Sequence, residues 1–255
     1  MNPDLEKGRR FLSAKGPPHP LVVGVTGAHY YGFPSPDSDL DVKGIHVAPT
    51  AHAVALTPLR DTIDIIEVFE DLEIDYTSHE LAAALRLLLK GNGNILERIL
   101  SPLQLLVSPE ATALQDLARG AVSRRFHHHY RGFFGRMRED WQKAATKTVK
   151  GLLYTYRSAL TGIHLLRTGD CVGDVTALAA RYSFDAVAAL VERKGRGKEH
   201  GSMPDSGEFD ADLAQLEAML EAAWSESPLP EESPNGEALN AFLVDQRRRH
   251  FIGLP

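Results

Sequence analysis

The sequence predicts an α/β (α+β) protein, with a small mixed-sheet domain over residues 1–108 followed by a helical domain over 109–255. Three observations carry that expectation. Short apolar runs of strand character alternate with helical periods in the first part. Strand signals stop beyond about residue 108, and apolar side chains thereafter recur at helical spacing.

The elements follow in order. Leu21-Val22-Val23-Gly24-Val25 is an unbroken apolar run and reads as a buried strand over 21–26. Further strands are expected over 39–47, 63–69 and 73–78, the last running into a helix over 80–89. Leu81, Leu85 and Leu88 share one face of that helix, and Lys90-Gly91 gives it a basic last turn and a glycine stop. Asn94 is placed to cap a helix over 95–100, which Ser101-Pro102 halts. Helices are then expected over 110–117, 124–168, 172–181 and 210–224. The basic, glycine-containing stretch 193–198 and the stretch 225–236, with three prolines, read as mobile connections.

Composition narrows the class. The chain has 43% hydrophobic and 24% charged residues over 255 positions, ordinary for a globular protein able to bury a core. Its single cysteine, Cys171, excludes an internal disulfide framework. The first 20 residues are polar and proline-rich, and no apolar stretch approaches the roughly 18 residues of a membrane span. A cytoplasmic protein with no membrane partner is expected, and oligomeric state is left open. The net charge of −6 conceals an asymmetry. From Arg119 to Arg157 there are ten Lys or Arg against two acids, a balance of +8. From Glu199 to Asp245 there are twelve acids and no Lys or Arg, a balance of −12. The basic block is either a local nucleic-acid footprint or a set of solvated helix faces.

Residues 27–41 carry the chemistry. A glycine, Gly27, ends the first strand, and Asp39-Leu40-Asp41 opens the second. Side chains at i and i+2 of a strand share a face, so Asp39 and Asp41 would present their oxygens together. Such a concentration of negative charge calls for a cation, and hard oxygen ligands suit Mg²⁺ or Mn²⁺. A glycine turn beside the pair lets phosphates approach backbone N–H groups.

Gly27, Ala28, Tyr31, Gly32, Pro36, Ser38, Asp39, Asp41 and Gly44 together resemble a G-S-x-x-Y-G-x-x-x-P-x-S-D-x-D-x-x-G signature. It belongs to the polymerase-β-like nucleotidyltransferase superfamily, in its RNA-ligase-associated polymerase subfamily. A second block of that subfamily resembles Glu80-Leu81 through Lys90-Gly91-Asn92-Gly93-Asn94-Ile95-Leu96-Glu97. A third, looser one resembles Lys147, Lys150, Tyr154 and Arg157; the blocks span residues 21–170.

The resemblance implies a nucleotidyltransferase that moves an NMP from an NTP, ATP among the candidates, to an acceptor hydroxyl, with release of pyrophosphate. It implies two ions, Mg²⁺ or Mn²⁺, held by Asp39, Asp41 and Asp75, with Asp71 and Glu73 as rivals for the third position. A partner in RNA repair is implied, so the acceptor is expected to be an RNA end. A protein or small-molecule hydroxyl, or a non-catalytic nucleotide-binding regulator, is the alternative. Gly27, Ala28, His29 and Ser38 are the expected phosphate contacts on the strand side. The position after Gly27 is usually Ser in the family and is Ala28 here, which removes a hydroxyl worth about 1.5–3 kcal/mol. His29 or Ser38 are the candidate replacements.

Lys147, Lys150, Tyr154 and Arg157, at spacings of three, four and three, fall along one helical stripe suited to a triphosphate and a base. The alternative for the stripe is an amphipathic helix with Tyr154 turned inward. His127-His128-His129 splay by about 100° per residue on a helix and do not converge on one ion. Beside Arg124, Arg125 and Arg131 they read as an anion contact or a solvated face. Lys90-Gly91-Asn92-Gly93-Asn94 reads as a helix stop followed by a cap, with Glu97 as a residue that helps to frame the site.

Overall fold

The computed structural model describes residues 3–36, 38–57, 59–196 and 206–251. In chain order its elements are α1 (Leu5–Lys15), β1 (Pro20–Val25), α2 (Gly27–Tyr30), β2 (Leu40–His46), α3 (Thr50–Ala53), β3 (Thr62–Phe69) and β4 (Leu72–Glu80). There follow α4 (Leu81–Leu89), α5 (Gly93–Leu100), β5 (Gln104–Val107), α6 (Ala111–Gly120), α7 (Phe126–Lys143), α8 (Val149–Thr168), α9 (Val175–Tyr182), α10 (Ala186–Gly195), α11 (Asp210–Ser225) and α12 (Gly236–Arg249). Two compact units share these elements, and neither is continuous along the chain. One, the sheet unit, takes the chain up to Gly27, Asp39–Ala121 and the stretch from Ser233; the other, the helical unit, takes Ala28–Ser38 and Val122–Glu232. The boundary expected after residue 108 lies inside Asp39–Ala121.

The sheet unit holds a mixed five-stranded sheet in the order β3-β4-β2-β1-β5, with β2 and β4 parallel and the other pairs antiparallel. One face carries a hydrophobic core cluster. Val23, Val25, Leu40, Val42, Ile74 and Tyr76 are buried there with Phe11 of α1 and Leu105 of β5. Phe11 meets Phe69 and Tyr76 edge-on, with ring centroids 5.7 and 5.8 Å apart. Both α1 and β5 went unrecognised in the sequence. Helix α1 starts where the Asp4 side chain accepts from Lys7 N at 3.0 Å. Strand β5 has only four residues, enough to pair with β1 at the sheet edge.

Glu80 ends β4 and begins α4. Its side chain is 1% exposed, accepts from Ala82 N at 2.8 Å and meets Arg247 of α12 at 2.6 Å. Arg247 also donates to the carbonyl of Ala48 at 3.0 Å. The cap of α5 is Asn92, which accepts from Ile95 N at 3.2 Å, and not Asn94, which lies inside the helix. The chain has already turned at Gly91, so helix geometry starts two residues earlier than expected.

In the helical unit α8 is buried along most of its length, and α7, α9, α10 and α11 pack against it. The single helix expected over 124–168 is two. Trp141 Nε1 donates to the carbonyl of Thr148 at 3.0 Å, and Thr148 Oγ1 accepts from Gly151 N at 3.1 Å. The break is thus capped on its C-terminal side, which makes it a stable chain reversal between two helices. Of the basic stretch expected to be a mobile connection, 193–196 belongs to α10 and its cap, and residues 197 and 198 lie outside the described residues. The proline-rich stretch 225–236 is tied down instead. Ser227 donates to the carbonyl of Leu166 at 2.6 Å, Arg124 N donates to that of Pro230 at 2.8 Å, and Asn235 donates to that of Leu117 at 2.8 Å. Among the described residues, no helix is long and apolar enough to cross a membrane.

Candidate active site

On the sheet face opposite the core, parallel pairing sets Asp41 of β2 directly across from Asp75 of β4. Residues opposite one another point to the same side, so the two carboxylates stand side by side. The rivals are placed elsewhere: Asp71 sits in the β3–β4 turn at φ +63, and Glu73 pairs with Val68 of β3. Asp39 is half-buried and lies just before β2, which starts at Leu40.

Gly27 makes room for this pair. Its backbone lies in the left-handed region at φ +62, and a Cβ there would overlap the Asp41 carboxylate, at 2.6 Å from Cγ and 2.9 Å from Cβ. Thr26 N donates to the carbonyl of Asp41 at 2.8 Å and holds the two segments together. Glycine is therefore required both by φ and by the close approach.

Lys43, which the sequence reading passed over, completes the group. Its ammonium lies 2.9 Å from Asp75 Oδ2 and 3.8 Å from Asp41 Oδ1. The signal was present, since Lys43 is two residues beyond Asp41 and shares its face. The donor chemistry fits a hard divalent cation: carboxylate oxygens from two neighbouring strands, already drawn around a positive charge. Among the described residues no three His, Cys, Asp or Glu side chains are gathered as a ready-made metal cage.

Beyond this group on the same face, buried Arg98 of α5 bridges the two parallel strands. Its guanidinium donates to the carbonyls of Gly44 and Thr77 at 3.3 Å each, and to His79 Nδ1 at 2.5 Å. Burial, then the adjacent Arg98 charge, pushes the His79 pKa down to about 4. Glu97, expected to frame the site, is buried on α5.

The rest of the opening motif is built into the helical unit. Ala28 is buried, and His29 is half-buried on the short α2. Tyr31 accepts through its carbonyl from Val175 N at 3.0 Å, and Phe33 meets Tyr154 edge-on at 5.2 Å. Ser38 Oγ accepts from Ser35 N at 2.9 Å, so the expected phosphate hydroxyl is engaged in closing its own loop. Ser35 Oγ accepts in turn from the ammonium of Lys194, which is 1% exposed at the end of α10. Lys194 was missed too, although Val187, Leu190 and Lys194 form a stripe at spacings of three and four.

The proposed helical stripe is only partly assembled. Lys147 precedes α8, and its ammonium sits 4.8 Å from the centre of the Trp141 ring, off the line of the other three. The helix break removes it from the periodicity on which the stripe was drawn. Lys150 is exposed, Tyr154 is half-buried against Tyr31 and Phe33, and Arg157 is 1% exposed with its guanidinium 3.9 Å from the Tyr31 ring centre.

The basic block and the acidic stretch meet within the helical unit. Arg125 pairs with Glu232 at 3.2 Å, Arg131 with Glu221 at 2.6 Å and Arg138 with Glu217 at 2.7 Å. His127 stacks on Trp224 at 4.8 Å, and burial lowers its pKa. His129 stacks instead on Phe133, so the three histidines diverge.

Comparison with known proteins gives the family. The chain is 30% identical over 179 residues to the uncharacterized protein MJ0002 of Methanocaldococcus jannaschii, covering 69% of this chain and 72% of that one. It is 29% identical over 185 residues to the uncharacterized protein YcgL of Bacillus subtilis, covering 68% and 69%. A solved nucleotidyltransferase-like protein from Exiguobacterium sibiricum aligns over 96% of this chain and 77% of its own, at 12% identity and a TM-score of 0.35. That likeness is slight, and the assignment does not rest on it. The model of RlaP, described as the RNA repair pathway DNA polymerase beta family, matches residues 19–245. This chain belongs to that polymerase-β-like family of RNA repair.

Proposed function

We propose that the chain is a two-metal nucleotidyltransferase that moves an NMP from an NTP to the hydroxyl of an RNA end. The observation that carries this reading is the in-register Asp41–Asp75 pair gathered around a cation beside Gly27. Asp39, Asp41 and Asp75 would hold Mg²⁺ or Mn²⁺, which when bound stabilise charge on the attacking and leaving oxygens. In the transfer the acceptor oxygen bonds to the α-phosphorus as the bond to the β-phosphate oxygen breaks. Pyrophosphate leaves with that electron pair, and Asp75 takes the acceptor's proton. Gly27 keeps the space over Asp41 clear. In the helical unit, exposed Lys150 is our assignment for a phosphate contact, with Tyr154 and Arg157 behind it. RNA as acceptor is supported by the family's link to RNA repair rather than by the basic block, in which Arg125, Arg131 and Arg138 pair with acids of their own unit.

Ala28 favours a second reading, a nucleotide-binding regulator without transfer activity, because it supplies no hydroxyl to a phosphate. One experiment separates them. The protein is incubated with each labelled NTP, Mg²⁺ or Mn²⁺, and total RNA, beside an Asp39→Ala, Asp41→Ala variant. Label entering RNA with wild type alone supports transfer; label entering nothing with either protein leaves the regulator.

A further inference from the structure

Resting on the metal reading above, we propose that Lys43 is the resident counter-cation of the carboxylate pair. It holds Asp41 and Asp75 together before a metal enters, and the entering metal must displace it. Lys43 thereby sets how tightly the site takes divalent ions.

The geometry is specific. Lys43 pairs in register with Thr77, one step along the same face from Asp41 opposite Asp75. Its ammonium is ringed by oxygens: Asp75 Oδ2 at 2.9 Å, the Asp75 carbonyl at 3.2 Å, Thr77 Oγ1 at 3.5 Å and Asp41 Oδ1 at 3.8 Å. The side chains of Lys43, Asp41 and Asp75 are 17%, 23% and 36% exposed, so water screens them only in part. Without the ammonium, two partly buried carboxylates would face each other and repel.

An ion that bridges Asp75 Oδ2 and Asp41 Oδ1, taking each at about 2.0–2.1 Å, would enter the gap between them that the ammonium now fills. Two positive charges crowded into that gap repel strongly, and the lysine gives way. Its four-carbon stem allows this without backbone movement. Arg98 cannot do the same, since its guanidinium is fixed by three acceptors between the strands.

The test is direct titration of the metal-free protein with Mn²⁺ by calorimetry and by loss of the free Mn²⁺ paramagnetic signal. Four proteins are compared: wild type, Lys43→Met, Lys43→Arg, and the double variant Asp41→Asn, Asp75→Asn. Lys43→Met is expected to bind Mn²⁺ about tenfold tighter than wild type, as loss of a neighbouring positive charge requires. Lys43→Arg keeps the charge and is expected to bind like wild type. In chelator, Lys43→Met should melt below wild type, and Mn²⁺ should close the gap. If the double variant abolishes binding while Lys43→Met binds no tighter than wild type, the role of Lys43 is overturned and the metal reading stands. If the double variant binds as wild type does, the pair is not a metal site and both fall. Lys43→Gln, which retains length and polarity, gives the same comparison should the methionine variant not fold.

Discussion

Replacing Gly27 by Ala is the sharpest test of how the site is built. The substitution adds one methyl group, yet it meets two separate obstacles. The backbone at φ +62 lies where an L-residue costs about 1–2 kcal/mol. The new Cβ would also stand 2.6 Å from Asp41 Cγ, against a normal carbon–carbon contact of about 3.5 Å. Asp41 must withdraw by roughly 1 Å, because β1 and β2 are joined there by the bond from Thr26 N to the Asp41 carbonyl. A displacement of that size at a reacting centre is worth about 10²-fold in rate. Unfolding in urea is therefore expected to show a loss of about 1–3 kcal/mol, while transfer from labelled NTP falls by about a hundredfold or more. Gly27→Ala with wild-type stability and transfer within threefold of wild type would refute the close approach of Gly27 to Asp41.

Three further outcomes follow from other parts of the molecule. Arg247→Met strands the buried Glu80 carboxylate and is expected to cost about 3–5 kcal/mol of stability, read by urea denaturation; a loss under about 1 kcal/mol would show that α12 does not hold that charge. Thr148→Ala removes the cap of α8 and should cost about 1 kcal/mol on the same assay, with no change if the break between α7 and α8 is held otherwise. The folded-state pKa of His79 is pushed down to about 4, below an unfolded value of about 6.5, so between these values the unfolded chain binds the extra proton. Stability is then expected to fall as pH falls through that window, by about 1.5 kcal/mol from pH 6.5 to pH 5, the slope approaching 1.36 kcal/mol per unit only once the unfolded imidazole is mostly protonated. His79→Gln should flatten part of this slope in urea titrations at stepped pH, and an unchanged slope would remove His79 as its cause.

The legible parts of the fold were those with a period or a face. The apolar run from Leu21 and the Leu81, Leu85, Leu88 stripe located β1 and α4, and i,i+2 spacing set Asp41 toward one side of β2. Short or tertiary-dependent elements were not legible. Helix α1 commits few apolar residues beyond Leu5, Phe11 and Leu12, and β5 is four residues long, so neither has a pattern apart from its partners. The α7–α8 break runs through alanines, good helix formers, and depends on Trp141 reaching Thr148. At the site, the preference for Asp75 came from the family resemblance, and it is the β2–β4 register, not readable from spacing, that sets Asp75 opposite Asp41 with Asp71 in a turn and Glu73 against Val68. The inward turn of Arg157 and the coupling of Lys194 to Ser35 were hidden because charged side chains at these spacings read equally well as surface.

The route of the chain bears on how this protein can be taken apart. The helical unit's long portion leaves after Ala121 and returns at Ser233, and those two points belong to neighbouring structure. The Asn235 side chain donates to the carbonyl of Leu117 and lies against Gly120. Topologically, Val122–Glu232 is a cassette inserted into the sheet unit's chain, and a short bridge could close the sheet unit in its absence. The second strand of the splice defeats that simple excision. Tyr30, Tyr31 and Phe33 would be left as bare aromatic residues on a loop between Gly27 and Asp39, with Ser35 stripped of Lys194. A minimal sheet protein therefore needs two edits, one at each crossing, and the second falls in the middle of the motif by which the family is recognised.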